Sequence, residues 1–262
     1  MQALLNIAVR AARRAGDVII RHVGHVHQLT ITEKARNDFV TEVDRAAEAE
    51  IIATIRESYP DHAFLGEESG SSGDSENVWI IDPLDGTTNF LHSFPMFSVS
   101  IALQQKGRME HAVIYDPMRQ ELFTASRGDG AQLDGRKIRV SGRKGLEGAL
   151  IGTGFPYRAN AKFMREYMSM FRAIAENTAG IRRAGSAALD LAYVAAGRLD
   201  GFWELGLGPW DMAAGSLIIR EAGGLIADIN GEDTFLESGN IVAAPPKVFT
   251  AILAELHPHL PK

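Results

Sequence analysis

The stretch Val78-Trp79-Ile80-Ile81-Asp82-Pro83-Leu84-Asp85-Gly86-Thr87-Thr88-Asn89-Phe90 decides how this chain is read. Val78 to Ile81 form an unbroken β-branched and aromatic run, the pattern of a strand buried on both faces. Pro83 fixes φ and carries no N–H, so the strand is expected to stop there and to present Asp82 and Asp85 at its end. Gly86-Thr87-Thr88 is a small-residue turn whose backbone N–H groups can open a helix. Two carboxylates followed at once by such N–H groups describe a site that holds metal ions beside a phosphate. Alone, the same residues also describe an Asp-Pro turn with a helix cap.

Working outward, Ala63-Phe64-Leu65 reads as a short strand ending in Gly66-Glu67-Glu68-Ser69. The tract Gly70 to Glu76 (GSSGDSE) reads as a mobile surface loop. Upstream, Leu4, Ile7, Ala8, Ala11, Ala15, Val18 and Ile19 fall at helical spacing, and Leu29 to Thr32 suit a short strand. Thr41-Glu42-Val43-Asp44 has the form of a capping box, followed by a helical pattern from Ala46 to Ile55. Downstream, Phe97 to Gln104, Met109 to Tyr115 and Glu121 to Ala125 are strands of an antiparallel meander. Ala131 to Leu133 and Ile138 to Val140 extend it.

The second half alternates. Strands are expected at Leu150-Ile151, Gly201 to Glu204, Leu225 to Ile229 and Asn240 to Ala244, and helices at Ala161 to Glu176, Ala187 to Ala196, Pro209 to Ala222 and Pro245 to Leu256. The polar, glycine-rich Ser141 to Gly148 marks a boundary between an N-terminal α+β lobe (1–145) and a C-terminal α/β lobe (146–262), together one catalytic unit. A meander followed by alternating strands and helices implies a layered α/β arrangement.

The chain of 262 residues is long enough for a sizeable core. With 27 basic against 33 acidic residues its net charge is −6, which argues against a general nucleic-acid surface. It has no cysteine, excluding disulfides, thiolate metal sites and a cysteine nucleophile, and this fits a reducing, cytoplasmic setting. No apolar run approaches the about 20 residues of a membrane helix. The eight histidines form no H-E-x-x-H or H-x-x-E-H pattern, which disfavours a zinc hydrolase.

Acidic groups recur at the ends of expected elements: Glu67 and Glu68, Asp82 and Asp85, Asp211 at a helix start, and Asp44 in a first helical turn. Singly, each has an ordinary explanation as a solvated loop charge, a cap or a dipole partner. Brought together without a cation they would repel one another, so a cluster implies bound metal. Trp210 reads as a packing residue, and Glu204 equally as a strand-end charge or a hydrogen-bond acceptor for hydroxyls.

Taken in order, Gly66-Glu67-Glu68-Ser69, Trp79 to Phe90, and Trp210-Asp211-Met212-Ala213-Ala214-Gly215 with Glu221-Ala222-Gly223-Gly224 resemble the signature segments of the inositol monophosphatase family. Tyr115-Asp116-Pro117-Met118-Arg119 and Gly185 to Tyr193 are most similar to its bacterial SuhB-type branch. The resemblance covers essentially the whole chain.

It implies a layered αβαβα sandwich, Mg2+-dependent hydrolysis of inositol 1-phosphate and related polyol phosphates, inhibition by lithium, and a homodimer. Glu67, Asp82 and the carbonyl of Leu84 would hold one Mg2+. Asp82, Asp85 and Asp211 would hold a second, with a third, weaker ion near Glu67. Thr87, paired with Asp44, would orient the attacking water, and Glu68 would support the metal ligands. N–H groups of Asp85, Gly86 and Thr87 would hold the phosphate. Gly185, Ser186, Ala187, Glu204 and Asp211 would line the polyol pocket, with Lys34 an upstream basic residue near the site. The same chemistry on fructose 1,6-bisphosphate, 3′-phosphoadenosine 5′-phosphate or histidinol phosphate is the nearest alternative. Association with RNA polymerase and Nus factors in transcription antitermination is the other.

Overall fold

The deciding stretch forms β5 (Asn77–Asp85), a nine-residue strand that runs past Pro83 rather than stopping at it. The computed structural model describes residues 2–26, 31–35, 38–156 and 163–260, with only the backbone of residues 2, 31, 33–35 and 38. Residues 29–30 of the expected first strand, the side chain of Lys34 and residues 161–162 of an expected helix lie outside the described residues.

Before β5 come α1 (Gln2–His22), a hairpin of β1 (Ile31–Ala35) and β2 (Asp38–Thr41), α2 (Glu42–Arg56), β3 (Ala63–Gly66) and β4 (Gly70–Ser72). After it come the short α3 (Thr87–Leu91) and the meander β6 (Ser98–Gln105), β7 (Arg108–Asp116), β8 (Glu121–Ser126), β9 (Gly130–Leu133) and β10 (Arg136–Lys137). The second half holds β11 (Leu150–Thr153), α4 (Met164–Asn177), β12 (Gly180–Arg182), α5 (Ala187–Ala195) and β13 (Gly201–Glu204). It closes with α6 (Pro209–Glu221), β14 (Leu225–Ala227), α7 (Phe235–Ser238), β15 (Ile241–Ala244) and α8 (Pro246–Leu256).

Eight strands form one sheet in the order β10-β9-β8-β7-β6-β5-β3-β4, and five form another in the order β12-β11-β13-β15-β14. Side-chain alternation along β5 explains its continuous apolar run. Trp79 and Ile81 pack against α1 and α2, where Ala11, Ala15, Ala47 and Ile51 leave room for them. Ile80 points the other way, into a core with Leu189, Leu191, Leu217 and Ile218 of α5 and α6. That helical layer also covers Phe202 and Ala243 of the smaller sheet. The sheet's far face carries Trp203 and Val242 against Tyr167, Met170 and Ile174 of α4 and Val248 and Ile252 of α8. The layers are therefore helix, sheet, helix, sheet, helix, as expected.

Two loop expectations change. Gly70 to Ser72 of the expected mobile tract pair antiparallel with β3 as an edge strand, because Gly70 turns at φ 68° and reverses the chain. The last meander strand is Arg136–Lys137 rather than Ile138 to Val140, although the Ile138 N–H still reaches the Ala131 carbonyl at 3.0 Å.

A buried histidine gives this sheet a pH signature. His111 lies on β7 in the sequence-alternate register of Val113 and Tyr115, its Nδ1 2.8 Å from Ser126 Oγ, and its Nε2 has no partner among the described residues. Burial pushes its pKa down from the ordinary value of 6.5. The unfolded chain therefore binds the proton first, and stability should be present above about pH 6.5 and fall as pH drops through the lower folded value. Denaturant melts at pH 5 and 7 should show this slope in the wild type, and His111→Gln should reduce it.

Candidate active site

A bulge at the end of β5 explains how Asp82 and Asp85 come to act together. Asp82 pairs with Ser100 and Asp85 with Ser98, so Pro83 and Leu84 stand opposite the single residue Val99. Three residues apart on a regular strand, the two side chains would point to opposite faces; the bulge resets the alternation and brings them to one side. Pro83 fits there because the extra residue of a bulge need not donate to the ladder. The shared side faces α5 and α6.

The carboxylates are held by their neighbours. The Leu84 N–H donates to Asp82 Oδ1 at 3.0 Å. Asp85 Oδ2 accepts the Ser186 hydroxyl at 2.5 Å and the Ala188 N–H at 2.8 Å, at the first turn of α5. Asp211 Oδ2 accepts the Gly208 N–H at 2.7 Å, capping α6 behind Pro209. Asp211 is thus a helix cap and a site residue at once. Ligand atoms of Asp82, Asp85 and Asp211 all lie within 4.8 Å of one another.

Asp44 does two jobs in the same way. Its Oδ2 closes the expected capping box, accepting the Thr41 N–H at 2.8 Å and the Thr41 hydroxyl at 2.5 Å. Its Oδ1 accepts the Thr87 hydroxyl at 2.9 Å. Burial raises the Asp44 pKa, opposed by the hydrogen bonds from Thr41 and Thr87. Thr87 is the first residue of α3, after Gly86 at φ 95°. A Cβ on Gly86 would stand 2.9 Å from the Met96 carbonyl, so glycine is required there on both counts.

The electrostatics are those of carboxyl groups crowded together away from water. Burial, then Glu67, Asp85 and Asp211, drive the Asp82 pKa well upward. Burial and Asp85 push Asp211 up to about 8. Burial pushes Asp85 up to about 6, against the donors from Ser186, Ala188 and Ala187. Carboxyl and carbonyl oxygens with no histidine or thiol are the donor set of a hard divalent cation such as Mg2+. The residues fit such a metal.

These groups open into a cavity of about 310 Å³ lined by Glu67, Asp82, Leu84, Asp85, Gly86 and Thr87, with Asp211 opposite. Gly185, Ser186, Ala187 and Glu204 line a smaller recess of about 60 Å³ that shares Asp85 and Asp211 with it. Glu68 does not line either; its N–H donates to Glu48 at 3.0 Å. Trp210 packs on the α5–α6 core as read from sequence, and also lines the cavity.

Sequence reasoning missed three participants. Arg183 lines both spaces and is the one cation among their described lining residues. Asp190 lines the recess, buried, its pKa raised by burial and by Asp85. Glu48 lies behind Glu67 and Glu68. Arg183 and Asp190 flank Gly185 to Ala187 closely enough that the segment itself was the signal. Glu48 had none beyond its place one turn after Asp44.

Comparison with known proteins accords with this geometry. The model of the inositol monophosphatase family matches residues 1–260. The Nus factor SuhB of Pseudomonas aeruginosa is 59% identical over 266 residues, covering 100% of this chain and 98% of the relative. The crystal structure of extragenic suppressor protein suhB from Bartonella henselae superposes with a TM-score of 0.94 at 45% identity, over 97% of this chain and 98% of that one. SaIMPase-II, solved with inositol monophosphate bound, gives a TM-score of 0.82 at 28% identity over 97% and 95% of the two chains. With its fold, its acidic cluster and its sequence in agreement from end to end, this chain belongs to the inositol monophosphatase family and is a phosphatase of that kind.

Proposed function

We propose that the chain hydrolyses inositol 1-phosphate and related polyol phosphates in a Mg2+-dependent reaction. The observation that carries this reading is the convergence of Asp82, Asp85 and Asp211 beside the Thr87–Asp44 pair. Glu67, Asp82, the Leu84 carbonyl, Asp85 and Asp211 would hold two Mg2+, with a third near Glu67, and lithium would compete for one of these places. When bound, the metal neutralises charge on the phosphoryl oxygens and makes water more acidic.

The chain's own groups do the rest. Thr87 has one proton, and both Asp44 Oδ1 at 2.9 Å and the Leu84 carbonyl at 3.1 Å are placed to accept it. The Thr87 oxygen lone pairs are then free to accept from a water and aim its oxygen at phosphorus. As that O–P bond forms, the water's proton passes to the Thr87 oxygen and the Thr87 proton to the Asp44 carboxylate. The ester P–O bond breaks, the departing alkoxide takes a proton from a solvent water, and Asp44 returns its proton to the hydroxide so formed. N–H groups of Asp85, Gly86 and Thr87 hold the phosphate oxygens, and Glu204 with Gly185, Ser186 and Ala187 takes the polyol hydroxyls. Asp211 comes from the C-terminal lobe and its partners from the N-terminal one, so residues 1–145 and 146–262 work as one catalytic unit.

Phosphate release from myo-inositol 1-phosphate with and without Mg2+ tests this directly. Strong Mg2+-dependent turnover, lost in Asp85→Asn, is the expected result. A preference of tenfold or more in kcat/KM for a bisphosphate, a nucleotide or histidinol phosphate would move the substrate assignment.

A second reading rests on the Pseudomonas relative, named as a Nus factor. The chain would then also join RNA polymerase and Nus factors, as a homodimer or through exposed apolar side chains such as Phe94 and Met118, 53% and 39% exposed. Pull-down with those partners, using wild type and Asp85→Asn, separates the roles: retained capture by an inactive variant assigns them to different parts of the molecule.

A further inference from the structure

Helix α2 turns one buried face toward the site twice. Asp44 in its first turn receives Thr87; Glu48, four residues on and so on the same face, reaches a different part of the site. Glu48 is 3% exposed. Its Oε2 accepts the Glu68 N–H at 3.0 Å and its Oε1 accepts the Ser69 N–H at 2.8 Å. It forms no ion pair among the described residues. A buried carboxylate answered, among the described residues, by two amides and no cation is costly compared with an apolar residue.

The contact fixes a short turn from both sides. The Glu67 N–H donates to the Ile81 carbonyl at 3.1 Å, next to Asp82, while the following two N–H groups are clamped by Glu48. Gly66 leaves the space the carboxylate fills, since a Cβ there would stand 2.7 Å from Glu48 Cδ. The turn that carries Glu67 is therefore seated on α2, the helix that also seats Thr87.

We propose that Glu48 is a positioning residue for the cation site: it sets the backbone from which Glu67 reaches the metal, and registers that ligand against the Thr87–Asp44 pair through one rigid helix. The proposal rests on the reading of Glu67 as a metal ligand. Outer partners of metal ligands typically control affinity by about 10–100-fold.

Calorimetric titration of the full chain with Mg2+, for wild type and Glu48→Gln, is the test. Replacing one acceptor oxygen by an NH2 leaves either the Glu68 or the Ser69 amide facing a donor. Mg2+ affinity should fall about 10–100-fold. The Mg2+ concentration for half-maximal turnover should rise in step, while kcat at saturating Mg2+ stays close to wild type. Gly66→Ala presses on the same carboxylate from the other side and should give the same shift, which covers the case of a Glu48→Gln chain that does not fold. Unchanged Mg2+ affinity in the variants, or a loss of kcat at saturating Mg2+ with affinity intact, overturns the proposal. A wild type that binds no Mg2+ overturns the metal-site reading beneath it as well, and the wild-type titration alone tells these failures apart.

Discussion

Asp82→Asn is expected to abolish turnover and, in the presence of a chelator, to make the protein more stable. The two effects share one cause. Asp82 is fully surrounded, and Glu67, Asp85 and Asp211 all raise its pKa on top of burial. Three carboxylates with ligand atoms inside 4.8 Å are costly unless a cation or a bound proton offsets their charge. Asparagine keeps the shape and still offers an oxygen to the Leu84 N–H, so the bulge survives. What disappears is one of the three clustered carboxylates. Activity should fall by more than the about 10–100-fold that an outer partner costs. Without metal, relief of repulsion worth about 1 kcal/mol would raise the melting temperature by about 2–4 °C in a chain of this size. With Mg2+ the order should reverse, because wild type gains binding energy that the variant cannot. Melting curves in chelator and in Mg2+, run on both proteins, check the crossing; two curves that keep the same order in both conditions would count against a metal site at Asp82.

Thr87→Val should slow catalysis without touching the metal. Valine replaces the hydroxyl by a methyl of nearly equal size, so α3 and the cavity keep their form. The lost group is the one that joins Asp44 to the cavity, at 2.9 Å from Oδ1. Positioned proton-handling groups contribute about 10²–10⁴-fold, and kcat should fall within that range. Mg2+ titration should match wild type, and Thr87→Ser should restore most of the rate. The Asp44 carboxyl would be left with only its capping-box partners, so a small loss of stability is also expected. A valine variant with undiminished kcat would remove Thr87 from the reaction.

The layers and most of the site were legible in the sequence, for reasons particular residues make plain. The unbroken apolar run before Asp82 suits a strand covered on both faces, and Trp79, Ile81 and Ile80 divide between those faces as that requires. Thr41 and Asp44 announced their cap by spacing alone. Pro83 was misleading, because a proline at a bulge and a proline that ends a strand have the same one-letter signature. The difference is made by Val99 on the neighbouring strand, which local reading does not see. The tract Gly70 to Glu76 failed similarly: its composition says loop, yet pairing with β3 overrides it at Gly70–Ser72. Arg183 and Asp190 could have been drawn in through their nearness to Gly185 to Ala187. Glu48 reaches the site only through tertiary packing, and no spacing rule connects it to the amides of Glu68 and Ser69.

Asp82, Asp85 and Asp211 each spend one oxygen on the protein's own backbone or on a neighbouring cap, and leave the other for the cavity. Architecture and chemistry are thereby assigned to different atoms of the same side chain. An exchange of a single oxygen for nitrogen at Asp85 or Asp82 would silence the reaction while leaving every anchoring contact available. A lineage carrying this fold therefore stands one atom away from a shape-only protein, able to keep partners that recognise its surface after the chemistry has gone.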